Sequence, residues 1–416
     1  MKHDTPLGSR IAEVHNGSSL FTGDAGQGES NIRRWVIEND WLEAIVALPL
    51  NMFYNTGIAT YVWVLTNRKS EKRKGHVQLI DATQWFKPLR KNMGKKNCEL
   101  STEDIQRICS TFLSFEETPQ SKIFPNAAFG YWKVKVERPL RLHSQLTRSR
   151  IETLRYASGD EDIRAALYAE LGEALFEDPA SVSSTLEKRL DDWGKAESEG
   201  EEEGEGETDT PKKSLSEKKK KKLLSEASWK RDAMLLNVAN QLRQELGDDL
   251  FEDHNVFLKQ VETALKKLDL GLSASELKLI ISAVSWRAED APRVIKKVHK
   301  SGKVQPDPLR GLFDANIDGK DCVVEYEPDS ELRDFEQIPL LEEGGIEAFI
   351  RREVLPYTPD AWLVEADTKI GYEVSFTRHF YQPPQLRTLA QISADILALE
   401  QETEGLLQEI TKGAAS

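Results

Sequence analysis

Apolar residues are most concentrated between residues 41 and 69, where two short runs have the length of buried strands. Leu42–Leu48 is almost wholly apolar, and Ile58–Leu65 is rich in β-branched and aromatic residues. Turn residues bound both runs, which favours strands over helices. The connecting segment, Asn51–Gly57, carries two aromatics, two amides and a hydroxyl. It fits either an ordinary hairpin loop whose aromatics cap the core or a ligand site at a strand end.

The flanking pattern predicts further strands over residues 9–17 and 77–82 and a helix over Glu29–Asn39. Ile32, Trp35 and Val36 share one face of that helix. Strands this apolar require cover on both faces of the sheet, and one helix does not supply it. We therefore expect part of the sheet to be missing from the front of the chain, either as a separate polypeptide or as a truncated half.

The middle of the chain is predicted to be mainly helical. Residues 101–113 begin with a near capping box and carry a stripe predicted to be buried, formed by Ile105, Ile108, Cys109 and Phe112. Other predicted elements are a strand over 129–137, helices within 145–190 and over 225–246, 256–268, 273–288 and 345–354, and a hairpin turning at Asp318-Gly319. Residues 195–224 are a glutamate-rich and then lysine-rich stretch, predicted to be a disordered linker.

Near the C-terminus, apolar positions alternate three- and four-residue steps. They are Leu389, Ile392, Ile396, Leu399, Leu406 and Ile410, with Thr403 completing the series. This is the a/d spacing of a coiled coil, so we predict a helix over residues 386–411. A seam this narrow is typical of a helix that pairs with another helix. We expect that helix to belong to a partner, and the alternative is a helix of this chain.

Composition is that of a globular protein, with 39% hydrophobic and 30% charged residues and no apolar run long enough to cross a membrane. The three cysteines lack metal or disulfide spacing, so a reducing cytoplasm is the expected compartment. The net charge of −14 averages over opposite blocks, because residues 68–96 are basic and include Trp85 and Phe86. That segment fits a phosphate backbone and a solvated loop and helix about equally well. Its candidate DNA contacts are Arg68, Lys69, Lys72, Arg73, Lys74, Arg90 and Lys91.

Motifs for catalysis are missing from the sequence. It contains no phosphate-binding P-loop, no GxGxxG after a strand, no HExxH and no GxSxG. The seven histidines have no metal-ligand spacing. We therefore assign no catalytic residue and no metal ligand.

Three blocks of the sequence are distinctive: residues 8–69, FGYWKVKVERPLR at 129–141 and TKIGYEVSFTRHFY at 368–381. In this order they resemble the modification (methyltransferase) subunit of bacterial type I restriction–modification systems. The resemblance implies an adenine-N6 DNA methyltransferase with a Rossmann-like S-adenosylmethionine domain, working with a specificity subunit that reads the DNA and with a restriction subunit. In the family, a glycine-rich cofactor loop and an Asn-Pro-Pro-aromatic motif precede the segment equivalent to Arg10–Asn16, and neither motif occurs in this sequence.

The resemblance also assigns roles to particular residues. It makes residues 11–15, 42–48 and 58–65 the fifth, sixth and antiparallel seventh strands of the family's sheet. Phe53, Tyr54 and Asn55 would then line the pocket for a flipped adenine, where an aromatic ring can stack on the base. Asn16 would lie beside the same cleft.

The expected fold class is α/β: the C-terminal part of a Rossmann-like methyltransferase sheet, followed by mainly helical regions and a C-terminal coiled-coil helix. The expected segments are a partial methyltransferase domain (1–98), a mainly helical extension (99–194), the linker (195–224), a mainly helical region (225–345) and an assembly segment (346–416).

On this interpretation the chain is a C-terminal portion of a modification subunit that neither binds S-adenosylmethionine nor methylates DNA alone. Its expected partners are DNA, the specificity and restriction subunits and a separately encoded N-terminal half, with no membrane. The alternative is a non-enzymatic assembly module, which would join a specificity subunit through Leu389–Ile410 and contact DNA through residues 68–96.

Overall fold

The computed structural model describes residues 1, 6, 8–199, 217–300, 302–381 and 388–413. The chain divides into two compact units that are not consecutive in sequence: residues 1–133, 337–349 and 368–416 form the first, and residues 134–336 and 350–367 form the second. The ends of the stretch predicted to be a disordered linker, residues 195–224, are helical: one helix continues to Glu199 and another begins at Glu217. Residues 200–216 lie outside the described part, so the linker itself stays a prediction.

The first unit is built on a mixed five-stranded sheet. Its elements are β1 (Arg10–Asn16), α1 (Ser18–Phe21), α2 (Gly28–Glu38), β2 (Leu42–Ala47), β3 (Thr60–Thr66), β4 (His76–Asp81), β5 (Lys87–Met93), β6 (Lys96–Glu99), α3 (Thr102–Ser114), β7 (Ser121–Pro125) and β8 (Gly130–Glu137), which continues into the second unit. The sheet order is β1-β3-β2-β4-β7. Strand β3 is antiparallel to both β1 and β2, as expected, and β2 is parallel to β4.

One face of this sheet is covered mostly by residues far along the chain. Leu42 and Ile45 of β2 pack with Ile37 of α2 and with Tyr372 and Phe376. The sequence predicted that a single helix would leave the sheet without cover, and for the central strand β2 this prediction was wrong. The cover comes from residues more than three hundred positions away, a distance at which no local pattern of hydrophobicity reports a contact.

Helix α3 covers part of the opposite face. Its predicted cap is confirmed, because Ser101 Oγ accepts from the backbone N–H of Asp104 while the Asp104 carboxylate accepts from the N–H of Ser101. The predicted buried stripe is only half-buried: Ile105 is 50% exposed and no residue of the helix is fully buried. The stripe lines an apolar groove of about 250 Å³ against β2 and β3, and Ile108 and Phe112 pack beside Leu48.

Helix α2 is confirmed, but it buries a different face from the predicted one. Ile32 and Trp35 are exposed, whereas Ser30 and Arg33 are buried. Arg33 Nε donates to the carbonyl of Tyr372 at 2.7 Å, and the N–H of Tyr372 donates to Ser30 Oγ at 3.1 Å. A polar anchor to a distant strand therefore decides which face turns inward, and apolar spacing alone did not reveal it.

Residues 87–99 form the β5–β6 hairpin and not the loop and helix that remained open from the sequence. Met93 and Lys96 pair across a two-residue turn, Gly94-Lys95. Gly94 has φ +65°, the left-handed conformation that a tight hairpin turn requires at this position.

The second unit combines helices with short strands. Its elements are β9 (Leu142–Ser144), α4 (Arg148–Glu152), α5 (Glu161–Leu171), α6 (Ala174–Glu177), α7 (Ser183–Glu199), α8 (Glu217–Leu223), α9 (Glu226–Leu246), α10 (His254–Lys267), α11 (Ala274–Val284), β10 (Ser285–Arg287), β11 (Ile295–His299), β12 (Phe313–Ile317) and β13 (Lys320–Tyr326). The predicted helices are confirmed, except that β10 replaces the end of the helix expected over 273–288. The predicted hairpin at Asp318-Gly319 is also confirmed, with both φ angles positive.

Two buried polar contacts stabilise this unit. Arg164 and Asp232 are fully buried, with Nη1 and Oδ2 3.0 Å apart, and the Arg164 guanidinium lies 4.0 Å from the ring of Trp229. His254 is also buried, and its Nδ1 lies 2.7 Å from Ser144 Oγ. Burial lowers the pKa of His254 to about 4, so the ring is neutral in the folded chain at neutral pH.

The remaining elements complete the chain. They are β14 (Asp334–Pro339), α12 (Gly345–Phe349), a π-helical turn (Ile350–Val354), β15 (Trp362–Tyr372), α13 (Phe376–Phe380) and α14 (Leu389–Gly413). Short 3₁₀ turns occur at Glu71–Arg73, Asn126–Phe129, Thr153–Tyr156 and Pro308–Arg310. Strands β14, β8 and β15 form a three-stranded sheet in that order. The helix predicted at the C-terminus is thus present as α14.

Candidate functional site

The ends of three strands mark one edge of the first unit's sheet. Strands β1, β2 and β4 run in the same direction, so their carboxyl ends meet at this edge, which we call the carboxyl edge. Asn16, the last residue of β1, pairs with Thr60 at the start of β3, and the N–H of Leu48 donates to the carbonyl of Thr60 at 2.9 Å. Ligand sites of open α/β sheets lie outside the carboxyl ends of the strands.

The segment 48–59, which we call the aromatic loop, leaves the carboxyl edge between β2 and β3. Phe53 and Tyr54 are 36% and 59% exposed, whereas Met52 packs against the core beside Leu48. The two aromatics therefore do not cap the core, which was the ordinary explanation of this loop. Asn55 has a left-handed φ of 57°, a conformation that asparagine tolerates better than most residues.

The β5–β6 hairpin supports the aromatic loop. The N–H of Asn97 donates to the carbonyl of Asn51 at 3.0 Å, and Cys98 Sγ lies 3.2 Å from the carbonyl of Leu50. Cys98 is buried, and burial raises the pKa of its thiol. Lys96 Nζ lies 5.3 Å from the centre of the Tyr54 ring, within cation–π range. The aromatic loop and part of the basic segment are therefore one continuous surface, a relation that the sequence analysis missed.

The structure divides the basic segment between two edges of the sheet. Residues 68–74 connect the end of β3 to the start of β4, so they lie at the edge opposite the aromatic loop. Arg90 and Lys91 follow the carboxyl end of β4 and are exposed on the hairpin, together with Lys95. A six-residue strand spans about 20 Å, so the single basic patch predicted from the sequence does not exist.

Two of the predicted DNA contacts are buried and paired. Lys69 Nζ lies 2.6 Å from Asp40 Oδ1, and burial lowers the pKa of this lysine. Arg73 lies beside Glu43, and its guanidinium stacks 4.1 Å from the centre of the Phe112 ring. The prediction that Lys69 and Arg73 contact DNA was therefore wrong, because Lys69 pairs with Asp40, Arg73 lies beside the buried Glu43, and neither cation is accessible to a phosphate.

The other cations at this opposite edge also have local roles. Lys72 Nζ donates to the last carbonyls of α3, at Leu113 and Ser114, and Lys74 pairs with Glu71 at 2.6 Å. Arg68 is exposed there.

A cavity of about 260 Å³ lies beside the end of β1. It is lined by Gly17, Leu20, Phe21, Tyr61 and the segment Glu373–Arg378. Burial, together with the nearby carboxylate of Asp81, raises the pKa of Tyr61, so this phenol stays protonated. The pattern of residues 373–378 gives no local signal that this segment lies at the carboxyl edge, more than three hundred positions after β1.

The described residues offer neither a metal site nor a membrane span. Within the described ranges, no three or more His, Cys, Asp or Glu side chains are grouped as a metal ion would need. No described helix is long and apolar enough to cross a membrane.

The seam of α14 is exposed where its side chains are described. Leu389, Ile392, Ile396 and Leu399 are 84%, 39%, 58% and 63% exposed. The side chains of Leu406 and Ile410 lie outside the described part. The described half of the seam is thus accessible to a partner helix, and the coiled coil itself stays a prediction.

These features define the class of the first unit: a mixed α/β domain whose candidate site is an aromatic loop and a basic hairpin at the carboxyl edge. Residues 3–129 match the family model described as N-6 DNA Methylase. The resemblance inferred from the sequence is thereby confirmed over this part of the chain.

Several curated proteins are similar to the same region. A type I restriction enzyme methylase subunit (MjaIX) of Methanocaldococcus jannaschii is 33% identical over 114 residues, which are 27% of this chain and 19% of that protein. The HindI methylase subunit of Haemophilus influenzae is 41% identical over 83 residues, 20% of this chain and 17% of that protein. The matching region thus spans less than a fifth of these two relatives.

A solved structure is also similar, the type I restriction–modification methyltransferase subunit of Streptococcus thermophilus. It is 25% identical, with 29% of this chain and 24% of that chain covered and a TM-score of 0.25.

Proposed function

We propose that this chain supplies the target-base side of the active site of a type I restriction–modification adenine-N6 DNA methyltransferase. The observation that carries the proposal is the exposure of Phe53 and Tyr54 at the carboxyl edge, beside a hairpin rich in lysine and arginine. An aromatic ring stacks on an extruded base, and the adjacent cations bind the phosphates that flank it. Asn16, at the end of β1, belongs to the same edge.

We infer that the described residues form only part of a site for S-adenosylmethionine. Strand β1 is exposed along almost its whole length, and no described strand pairs with its outer edge. At the carboxyl edge, the hydroxyl of Thr60 is buried without a hydrogen-bond partner in the described part, and the Asp81 carboxylate already accepts from Thr83. We therefore infer that this chain alone does not bind the cofactor or transfer a methyl group, and we assign no catalytic step to its residues.

The exposed strand β1 also suggests how the site is completed. Ile11 and Val14 are 40% and 52% exposed, and β1 is the outer strand of the sheet, so its outer edge is open to a further strand. Apolar edge strands of this kind favour pairing. We propose that a separately encoded polypeptide adds its strand here and carries the cofactor loop and the Asn-Pro-Pro-aromatic motif.

The base-pocket proposal is tested by equilibrium binding of the full chain to duplex DNA. Base stacking is worth about 1–3 kcal/mol, so Tyr54→Ala should weaken binding to a duplex with an unpaired adenine by roughly 5- to 150-fold. Tyr54→Phe keeps the ring and should bind normally, as should Tyr357→Ala, which removes an exposed tyrosine outside the loop. Equal binding by all three variants would refute the stacking role.

The inactivity proposal has a separate test. Calorimetric titration of the chain with S-adenosylmethionine should give no binding heat, and a labelled methyl-transfer assay should give no incorporation into DNA. Incorporation by the isolated chain at a rate comparable with that of an intact modification subunit would refute this part.

A second function, assembly without catalysis, is favoured by the exposed seam of α14. In this case α14 binds a helix of a specificity subunit, and exposed cations among residues 68–96 contact DNA. Replacing Ile396 and Leu399 with Asp should abolish co-purification with that subunit, whereas Asp at Ala394 and Gln401, off the seam, should not. Retention of the partner by the seam variant would exclude this interface.

A further inference from the structure

The tip of the β5–β6 hairpin carries an exposed apolar side chain among cations. Met93 is 52% exposed and ends β5, where Gly94 and Lys95 form the turn. Arg90, Lys91 and Lys95 are exposed on the same hairpin. Met93 does not belong to either of the two described core clusters that pack on the sheet of the first unit, so its side chain is available to a partner.

The geometry fixes the direction in which Met93 points. Met93 and Lys96 are directly opposite each other in an antiparallel pair, so their side chains project from the same face of the hairpin. Lys96 Nζ lies 5.3 Å from the centre of the Tyr54 ring. Met93 therefore stands on the face of the hairpin that turns toward the aromatic loop.

The hairpin tip and the aromatic loop are also in contact. A Cβ added to Gly94 would lie 2.9 Å from Asn55 Oδ1, and the hydrogen bond from Asn97 to Asn51 fixes the base of the hairpin. These contacts therefore hold the hairpin tip beside the loop that carries Phe53 and Tyr54.

We propose that Met93 is a wedge that enters the base stack of duplex DNA at the position vacated by the base that Tyr54 receives. This inference rests on the proposed function. Apolar side chains such as methionine insert between base steps when flanking cations hold the backbone, and unstacking costs a few kcal/mol per step. A wedge that fills the gap offsets that cost, so Met93 is a positioning residue and takes no part in chemistry.

The test compares the full chain on two duplexes of the same sequence, one intact and one with a tetrahydrofuran abasic site. A wedge should favour the duplex whose stack already has a gap, on the order of tenfold by fluorescence anisotropy, because no unstacking is needed. Met93→Ala should remove this preference and leave binding to the intact duplex and the thermal midpoint unchanged. Met93→Leu should restore the preference, and Leu332→Ala, an exposed apolar residue outside the hairpin, should keep it.

Each other outcome overturns the inference. A wild-type chain without preference, or a Met93→Ala variant that keeps it, excludes a wedge. Equal weakening of both duplexes makes Met93 an ordinary contact. Binding to neither duplex removes the DNA contact as well, and thereby the proposed function, whereas salt-dependent binding without preference leaves that function standing.

Discussion

The division of the basic segment between two edges predicts that equal changes in charge have unequal effects on DNA binding. The perturbation is the double variant Lys91→Gln/Lys95→Gln on the hairpin. Its matched control is Lys72→Gln/Lys74→Gln at the opposite edge, which removes the same charge. The hairpin lysines are exposed beside the aromatic loop, whereas Lys72 caps α3 and Lys74 pairs with Glu71.

The expected magnitude follows from counterion release. Each phosphate contact contributes about 0.9 to the slope of log affinity against log salt, so losing two contacts lowers the slope by about 1.8. Between about 50 and 200 mM salt, the hairpin variant should therefore lose about tenfold less affinity than the wild-type chain. The control should keep the wild-type slope.

The assay is fluorescence anisotropy with a labelled duplex over a series of salt concentrations, with thermal melting to show that both variants fold. An equal change of slope in the two variants would mean that charge acts through the whole chain and not through the hairpin. A change in the control alone would place the DNA at the opposite edge and refute the reasoning.

Two further predictions concern the second unit. Arg164→Leu strands the buried carboxylate of Asp232 and should cost about 3–5 kcal/mol of unfolding free energy in urea, whereas Arg148→Leu, which breaks an exposed pair, should cost less than about 1 kcal/mol. Because burial lowers the pKa of His254 to about 4, the unfolded chain binds the extra proton below about pH 6.5. Stability should therefore fall by about 2 kcal/mol from about pH 7 to 5, and His254→Gln should flatten that dependence in urea titrations at both pH values.

The elements that could be predicted are those whose signal is local. Strands β2 and β3 follow from dense β-branched and aromatic runs, the start of α3 from Ser101 and Asp104, and the β12–β13 hairpin from Asp318-Gly319. In each case neighbouring residues decide the conformation, so a short window of sequence contains the cause.

The elements that could not be predicted depend on distant partners or on weak propensities. Lys69 and Arg73 resemble other cations in sequence, and only pairing with Asp40 and Glu43, about thirty residues earlier, buries them. Five of the seven residues of strand β5 are lysine, arginine, proline or asparagine, so its propensity opposes a strand and the turn at Gly94 was the one local signal. The face that α2 buries likewise depends on Tyr372, far along the chain.

The aromatic loop shows how these two kinds of information combine. The sequence left two explanations for its aromatics, a cap on the core or a ligand site, and the structure packs the partly buried Met52 against the core while Phe53 and Tyr54 are exposed, which favours the second. The hairpin then determines what the loop can do, because it brings Lys96 over Tyr54 and sets Met93 on the same side. An aromatic ring, a cation and an apolar tip on one rigid surface suit an unstacked base and the gap it leaves better than they suit a small soluble ligand, which would need an enclosed pocket. If the hairpin cations bind the DNA backbone independently of Tyr54 and Met93, the losses of binding free energy should add when the lysine variants are combined with Tyr54→Ala or Met93→Ala. Strong non-additivity would mean that the hairpin acts only by positioning the aromatic loop.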